Sequence, residues 1–482
     1  MGPTEAGSPL RIAKNSLFPF STNLVVRLLD LGFAVVLLKA LGPDRVGQLT
    51  VAVVLVGYFD ILVNFGLGTL LTRNVSRAPA EAPRYFWNSL AARLTLWLVL
   101  LPVLGLVVGP LAPTLAITPA IAGALTLFVV ALLPGQVSGT ASALLSAFER
   151  MEIPAAVTVV VNLVRVSLGV AVVVNGGGIV DLGWVSVVVS LFGMVVLLVL
   201  TARLLGLPEW SWEPRFAATL VSDSYPLMVN NLLNSVFFRI DVVVLQALAG
   251  APMVGWYSTA YRFIDGLNVV PSSFVLAVFP LFARQAGESR ARLDAAVAAS
   301  LKVLLTLALP ICVGTLVLAE PMILLLADER YLPHAAIALA ILVWFLPLSF
   351  TNGLLQYVLI AVGRERVVTV GFFVAAGFNL GANLLLVPRY GYVASSVITV
   401  ASEAALLGPF VLGLRGRVTP PPLGRLAWRP ALAALAMGAA LYPLRWVGLA
   451  LIPLGAALYV VAMLLLGAGA EERALLATLR RR

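Results

Sequence analysis

Apolar residues fill this chain in long runs, and polar residues gather in the short gaps between them. Segments of bilayer-spanning length fall at about 17–40, 46–70, 88–108, 114–146, 154–175, 179–205, 222–248, 255–282, 297–319, 334–361, 367–387, 391–414, 429–444 and 447–468. The pattern predicts an all-α polytopic membrane protein with about fourteen transmembrane helices. The gaps are too short to fold as domains of their own, so the helices and their turns must carry the function.

Composition agrees. The 482 residues are 61% hydrophobic and 11% charged, a balance that excludes a soluble domain of this length. The net charge of +10 would suggest nucleic acid in a soluble protein. Here the basic residues alternate between the two sides of the predicted membrane. Counting loops and tails, 21 Lys and Arg fall on the side of the N-terminus and 5 on the other. By the positive-inside rule this predicts a multi-pass protein of the cytoplasmic membrane with both termini cytoplasmic, and no nucleic-acid partner. No cleavable signal peptide is expected, because the first ten residues are not apolar. The lone Cys312 lies in an apolar run and reads as a small core residue.

The chain repeats itself. A shift of 208 positions lays Ser16, Asn23, Gly42, Val46, Gly47 and Ala52 on Ser224, Asn231, Gly250, Val254, Gly255 and Ala260. The turn LGPDRVG at 41–47 falls on AGAPMVG at 249–255. Six segments separate the copies, so both run the same way, which predicts two six-helix lobes in parallel repeat. The expected division is a cytoplasmic tail at 1–16, an N-lobe at 17–205, a cytoplasmic linker at 206–221, a C-lobe at 222–414, a second linker at 415–428, two extra helices at 429–468 and a basic cytoplasmic tail at 469–482. Prolines inside segments, among them Pro102, Pro134, Pro226, Pro271, Pro310 and Pro347, are expected to kink their helices.

Charges at membrane depth are costly and mark function by default. Arg27 shares a face with Asn23 and Asp30, and Arg262 with Ser258 and Asp265, at the spacing i, i+4, i+7. Arg239 and Asp241 lie about 200° apart around their helix and point different ways. Asp60 pairs with Asn64 in the second segment, and Glu403 stands alone in the twelfth. Lys302 and Arg93, near segment ends, are expected to snorkel to the surface. Two readings stand for the arginines. They fasten helices by pairing with acids, or they line a cationic cavity for an anionic substrate, where a guanidinium grips phosphate with paired hydrogen bonds. Arg165 has no acidic residue within ten positions, which favours the second reading for it. Asp30, Asp60, Asp241, Asp265 and Glu403 can pair with arginine or bind a coupling sodium ion or proton; no metal site or other cofactor is expected. His334, the only histidine, reads as a surface residue beside a loop.

The motifs RIAKNSLFPF, LLKALGPDRVGQ and FGLGTLLTR, with the second copy FFRIDVVVLQALAG…VGWYSTAYRFIDGLNVVPSSF, resemble the polysaccharide-type flippases (Wzx-like) of the multidrug/oligosaccharidyl-lipid/polysaccharide exporter superfamily. The resemblance covers roughly residues 11–415. It implies alternating access between two lobes and a lumen for lipid-linked sugar diphosphates, with Arg27, Arg165, Arg239 and Arg262 as its substrate-binding residues. The expected function is translocation of an undecaprenyl-diphosphate-linked oligosaccharide, with membrane lipids and polysaccharide assembly enzymes as partners. A cation-coupled multidrug exporter of the same superfamily is the alternative. A membrane polymerase or glycosyltransferase is a weaker one, since it would need a sizeable external loop. No bond is made or broken in the expected activity, so the chain is not read as an enzyme.

Overall fold

A computed structural model of the full chain describes residues 9–206, 208–419 and 423–467. The first eight residues and the basic tail from 468 onward lie outside them. The described residues are helical, with short 3-10 turns and no strand. They divide into two compact units, Met1–Gly255 and Trp256–Arg482. The first holds α1 (Pro9–Asn64), α2 (Leu67–Arg77), α3 (Ala82–Val108), α4 (Pro119–Ala147), α5 (Glu152–Val174), α6 (Ile179–Leu205) and α7 (Pro214–Ala249). It ends inside α8 (Ala251–Leu267). The second continues with α9 (Val269–Glu288), α10 (Arg290–Leu326), α11 (His334–Leu342), α12 (Phe345–Ala361), α13 (Glu365–Leu414), α14 (Leu423–Leu441) and α15 (Leu451–Leu465).

Ten helical stretches among the described residues are long and apolar enough to cross a membrane. Two helices exceed a single crossing. The 56 residues of α1 would run about 84 Å if straight, and the 50 of α13 about 75 Å, against a hydrocarbon thickness of roughly 30 Å. Each bends at a glycine with positive φ, Gly42 in α1 and Gly391 in α13. Prolines break other predicted segments. The break between α8 and α9 lies one turn before Pro271, and that between α11 and α12 one turn before Pro347, where the proline has no N–H to bond the carbonyl four residues back. In α10 the backbone leaves helical geometry at Leu318, three residues before Pro321.

The two turns matched by the 208 shift adopt one conformation. Gly42 has φ 74° and ψ 174°; Gly250 has φ 86° and ψ 171°. Only glycine adopts this region without strain. In the first unit the two turns also meet, backbone to backbone. A Cβ on Gly47 would stand 1.9 Å from the carbonyl oxygen of Ala251, and a Cβ on Gly255 would stand 1.9 Å from that of Pro43. Pro43 maps onto Ala251 and Gly47 onto Gly255 under the same shift, so the contact is reciprocal. Val46 and Val254 seal it, at 1% and 0% exposure.

The connection from α6 to α7 is held rather than loose. The buried Asn88 of α3 donates to Ser211 O at 3.0 Å and accepts from Glu213 N at 2.9 Å, while Trp87 Nε1 donates to Pro208 O. Arg84 bridges Glu213 at 2.7 Å and Glu81 at 3.3 Å and lies over the Phe216 ring; the Glu213 bond holds its guanidinium above the usual range. At the chain's far end, α14 and α15 pack on α10 through Ala433, Ala434, Met437 and Leu451 against Val313 and Leu318, and Tyr459 donates to Thr306 O at 2.8 Å. Between helices in lipid, close packing of small side chains replaces the hydrophobic drive.

Candidate functional site

Arg165 of α5 meets an acid that the sequence hides. Its Nη2 forms a short ion pair with Asp30 Oδ1 on α1, 135 positions away, and a 3.1 Å bond with Asn162 Oδ1 one turn earlier. Asn162 also donates to Asp30 at 3.3 Å, and the guanidinium lies 5.6 Å from the Phe33 ring centroid. Both ionic side chains stay open, at 38% and 47% exposure. Where water reaches it, a half-exposed pair of this kind is worth about 0–1 kcal/mol. Arg27, one turn before Asp30 on α1, is exposed and has no ion-pair partner among the described residues.

A second cluster surrounds a cavity of about 390 Å³ in the same unit, lined by Asp60, Asn64, Arg93, Gln136, Ser186 and Ser190 among apolar neighbours. Gln136 donates to Asp60 Oδ1 at 2.7 Å. Arg93 donates to the Gln136 carbonyl at 3.2 Å and to Asn64 Oδ1 at 3.1 Å. The expected snorkelling of Arg93 is overturned, since it is 2% exposed. The room comes from Gly68 and Gly139, where a Cβ would press the guanidinium at 3.0 and 3.1 Å. Bonds to a buried charge are worth about 1.5–3 kcal/mol each, so Arg93 ties α1, α3 and α4 together.

The remaining charges are dispersed. In the first unit Tyr58 of α1 lies within electrostatic reach of Arg239 and Asp241 on α7. Asp241 is 1% exposed and accepts from its neighbour Val242 N, whereas Arg239 is half-buried. In the second unit Arg262 is half-buried and Asp265 exposed. Arg262 acts on Tyr331, in the connection before α11. Burial pushes that phenol up, Asp328 adds to the shift, and Arg330 and Arg262 pull it back. Arg262 therefore lies within electrostatic reach of that connection. Glu403 is buried beside Asn352.

His334 is more than a surface residue. It is half-buried, stacks on Trp256 at 3.9 Å between centroids and shares a 3.1 Å hydrogen bond with Tyr392. Cys312 is fully buried, as its apolar run suggests, and its thiol donates to Val343 O. Among the functional polar groups, Gln136, Asn162 and Asn352 escape sequence reading. An amide in an apolar run is the one signal each leaves.

The model of the family described as polysaccharide biosynthesis protein matches residues 12–286, more than half of the chain. The chain belongs to that family. A second family model, MatE, matches residues 226–385. Among curated proteins, this family member is 29% identical over 307 residues to the succinoglycan biosynthesis transport protein ExoT of Rhizobium meliloti; the match takes in 61% of this chain and 58% of ExoT. Its fold is that of a lipid II flippase, MurJ, in an inward closed conformation, with a TM-score of 0.71, 13% identity, and 95% of this chain and 100% of the other covered. It is also similar to an inward-facing multidrug resistance MATE family transporter of the MOP superfamily, with a TM-score of 0.67, 16% identity, and 85% and 98% coverage. This member of the polysaccharide biosynthesis protein family thus has helices able to cross a membrane and a fold shared with MurJ and the MATE transporter.

Proposed function

We propose that the chain flips an undecaprenyl-diphosphate-linked oligosaccharide from the cytoplasmic to the outer leaflet by alternating access, with no covalent step. The observation that carries the reading is the half-exposed Arg165–Asp30 pair between two apolar helices, with Arg27 exposed on the same helix as Asp30. A diphosphate offers Arg165 a paired set of acceptors stronger than one carboxylate, so the pair holds the guanidinium in place until the substrate takes it. Arg239 and Arg262 are proposed as further substrate-binding residues, each in its own unit. The lipid tail stays in the bilayer.

Fourteen crossings fit this reading. α1 and α13 each cross twice, α8 with α9 and α11 with α12 each make one crossing, and α14 with α15 makes two. Both termini are then cytoplasmic, and the lobes are 17–205 and 222–414 with 429–468 appended. The matched turns at 41–47 and 249–255 lie on the outer side and close the outer end of the path. ExoT and MurJ support the reading by their names, as a succinoglycan biosynthesis transport protein and a lipid II flippase. The MatE match at 226–385 favours a second reading, cation-coupled export of a drug.

The test is complementation. Expressed in a strain lacking its own repeat-unit flippase, the chain should restore surface polysaccharide and leave resistance to cationic dyes unchanged. Dye resistance without surface glycan would select the exporter reading instead.

A further inference from the structure

Glu403 lies on the part of α13 that follows the Gly391 bend and is 1% exposed. Asn352 of α12, at 2% exposure, donates through Nδ2 to Glu403 Oε2 at 2.6 Å and to the Glu403 main-chain oxygen at 2.8 Å. The Ser349 hydroxyl, one turn earlier on α12, also bonds the carboxyl. Among the described residues these are the side chains that bond it, and both are neutral. The neighbouring Ser402 spends its hydroxyl on Ile398 O and accepts from Asn379. An ionised carboxylate held so deep by neutral donors alone lacks the cation that such burial requires.

The far end of Asn352 fits a carboxylic acid better than a carboxylate. Its Oδ1 is buried and has no hydrogen-bond partner. A carboxylate can only accept, so it leaves that oxygen orphaned; a carboxylic acid has one O–H to give. A proton on the carboxyl would give the pair an O–H to offer where a carboxylate has none. Without that proton the buried amide oxygen has no donor from the carboxyl, and the α12–α13 seam must part or admit water to satisfy it.

We propose that Glu403 holds a proton in this conformation and that its release and reloading is a step of the transport cycle. The proton comes from water on one side and returns to water on the other; only the carboxyl O–H bond forms and breaks. The cycle step rests on the transporter reading above, whereas the protonation of Glu403 stands without it.

The test uses the full-length protein in lipid nanodiscs and in cells. Infrared difference spectra of wild type against Glu403→Gln at neutral pH should show a protonated carboxylic acid band present only in the wild type. Absence of the band overturns the proposal. Asn352→Ala, which keeps the acid and removes its partner, should shift that band; an unmoved band also overturns it. In the complementation strain, Glu403→Gln fixes the loaded form, so surface glycan should fall at least tenfold at normal membrane levels. Undiminished export would make the acid structural and overturn the cycle step. If the band behaves as expected but the wild type restores no glycan, the flippase reading fails and the proton site stands.

Discussion

Replacing Gly47 or Gly255 with alanine is expected to cut glycan export at least tenfold without removing the protein from the membrane. Each new methyl would stand 1.9 Å from a backbone carbonyl oxygen, of Ala251 in one case and Pro43 in the other. A backbone oxygen inside a helical turn cannot swing aside as a side-chain tip can, so the two turns must separate. Overpacking of this kind costs about 1–3 kcal/mol. In the proposed cycle the cost falls on the closed arrangement alone, which would shift the equilibrium about 5–150-fold toward an open outer end. The double variant should cost less than the sum, because both changes act on one contact. A cysteine at Thr50, in a Cys312→Ala background, reports the opening, and a membrane-impermeant maleimide added outside should label it faster in either glycine variant. Unchanged labelling and export would show that the contact closes nothing.

The second large effect concerns Arg165. Arg165→Ala should lower export at least tenfold at normal membrane levels, and Arg165→Lys should keep part of it, because lysine retains the charge but loses the planar fork. The Asp30 pair supplies the decisive variant. If Arg165 only fastens α5 to α1, exchanging the two residues (Asp30→Arg with Arg165→Asp) restores the bridge and the export. If Arg165 takes the diphosphate, the exchange places an acid where the phosphate must bind, and export stays low. The bridge contributes little stability on its own, since both partners are more than a third exposed. Loss of function in Arg165→Ala is therefore not expected to come from unfolding, and heat-induced aggregation of the purified variant should track the wild type. Full export by Arg165→Ala would remove the residue from the site.

Some of this was open to reading from residues alone, because it rests on local rules. Apolar runs of spanning length become helices, since lipid leaves the backbone no other partner. The shift of 208 finds Gly42 and Gly250 because a backbone at positive φ strongly prefers glycine. The prolines at 271 and 347 mark breaks because each lacks the N–H that would bond the carbonyl one turn back. What stayed hidden depends on which helices touch. Arg165 has no acid nearby in sequence, and Asp30 reaches it across 135 positions. Arg93 sits where a long side chain would be expected to snorkel, but Gly68 and Gly139, on two other helices, open a slot for its guanidinium. The orphaned oxygen of Asn352 needs Glu403, 51 positions on, to give it meaning. No pattern along the chain encodes such encounters.

The most direct measurement of the account is translocation by the purified protein. Proteoliposomes carrying a fluorescent undecaprenyl-diphosphate oligosaccharide in both leaflets are exposed to a membrane-impermeant quencher. With the wild-type protein the signal should fall well beyond the outer-leaflet half, and Arg165→Ala should hold it at that half. A wild-type signal that stops at half, in vesicles whose protein is folded and inserted, would contradict the flippase reading.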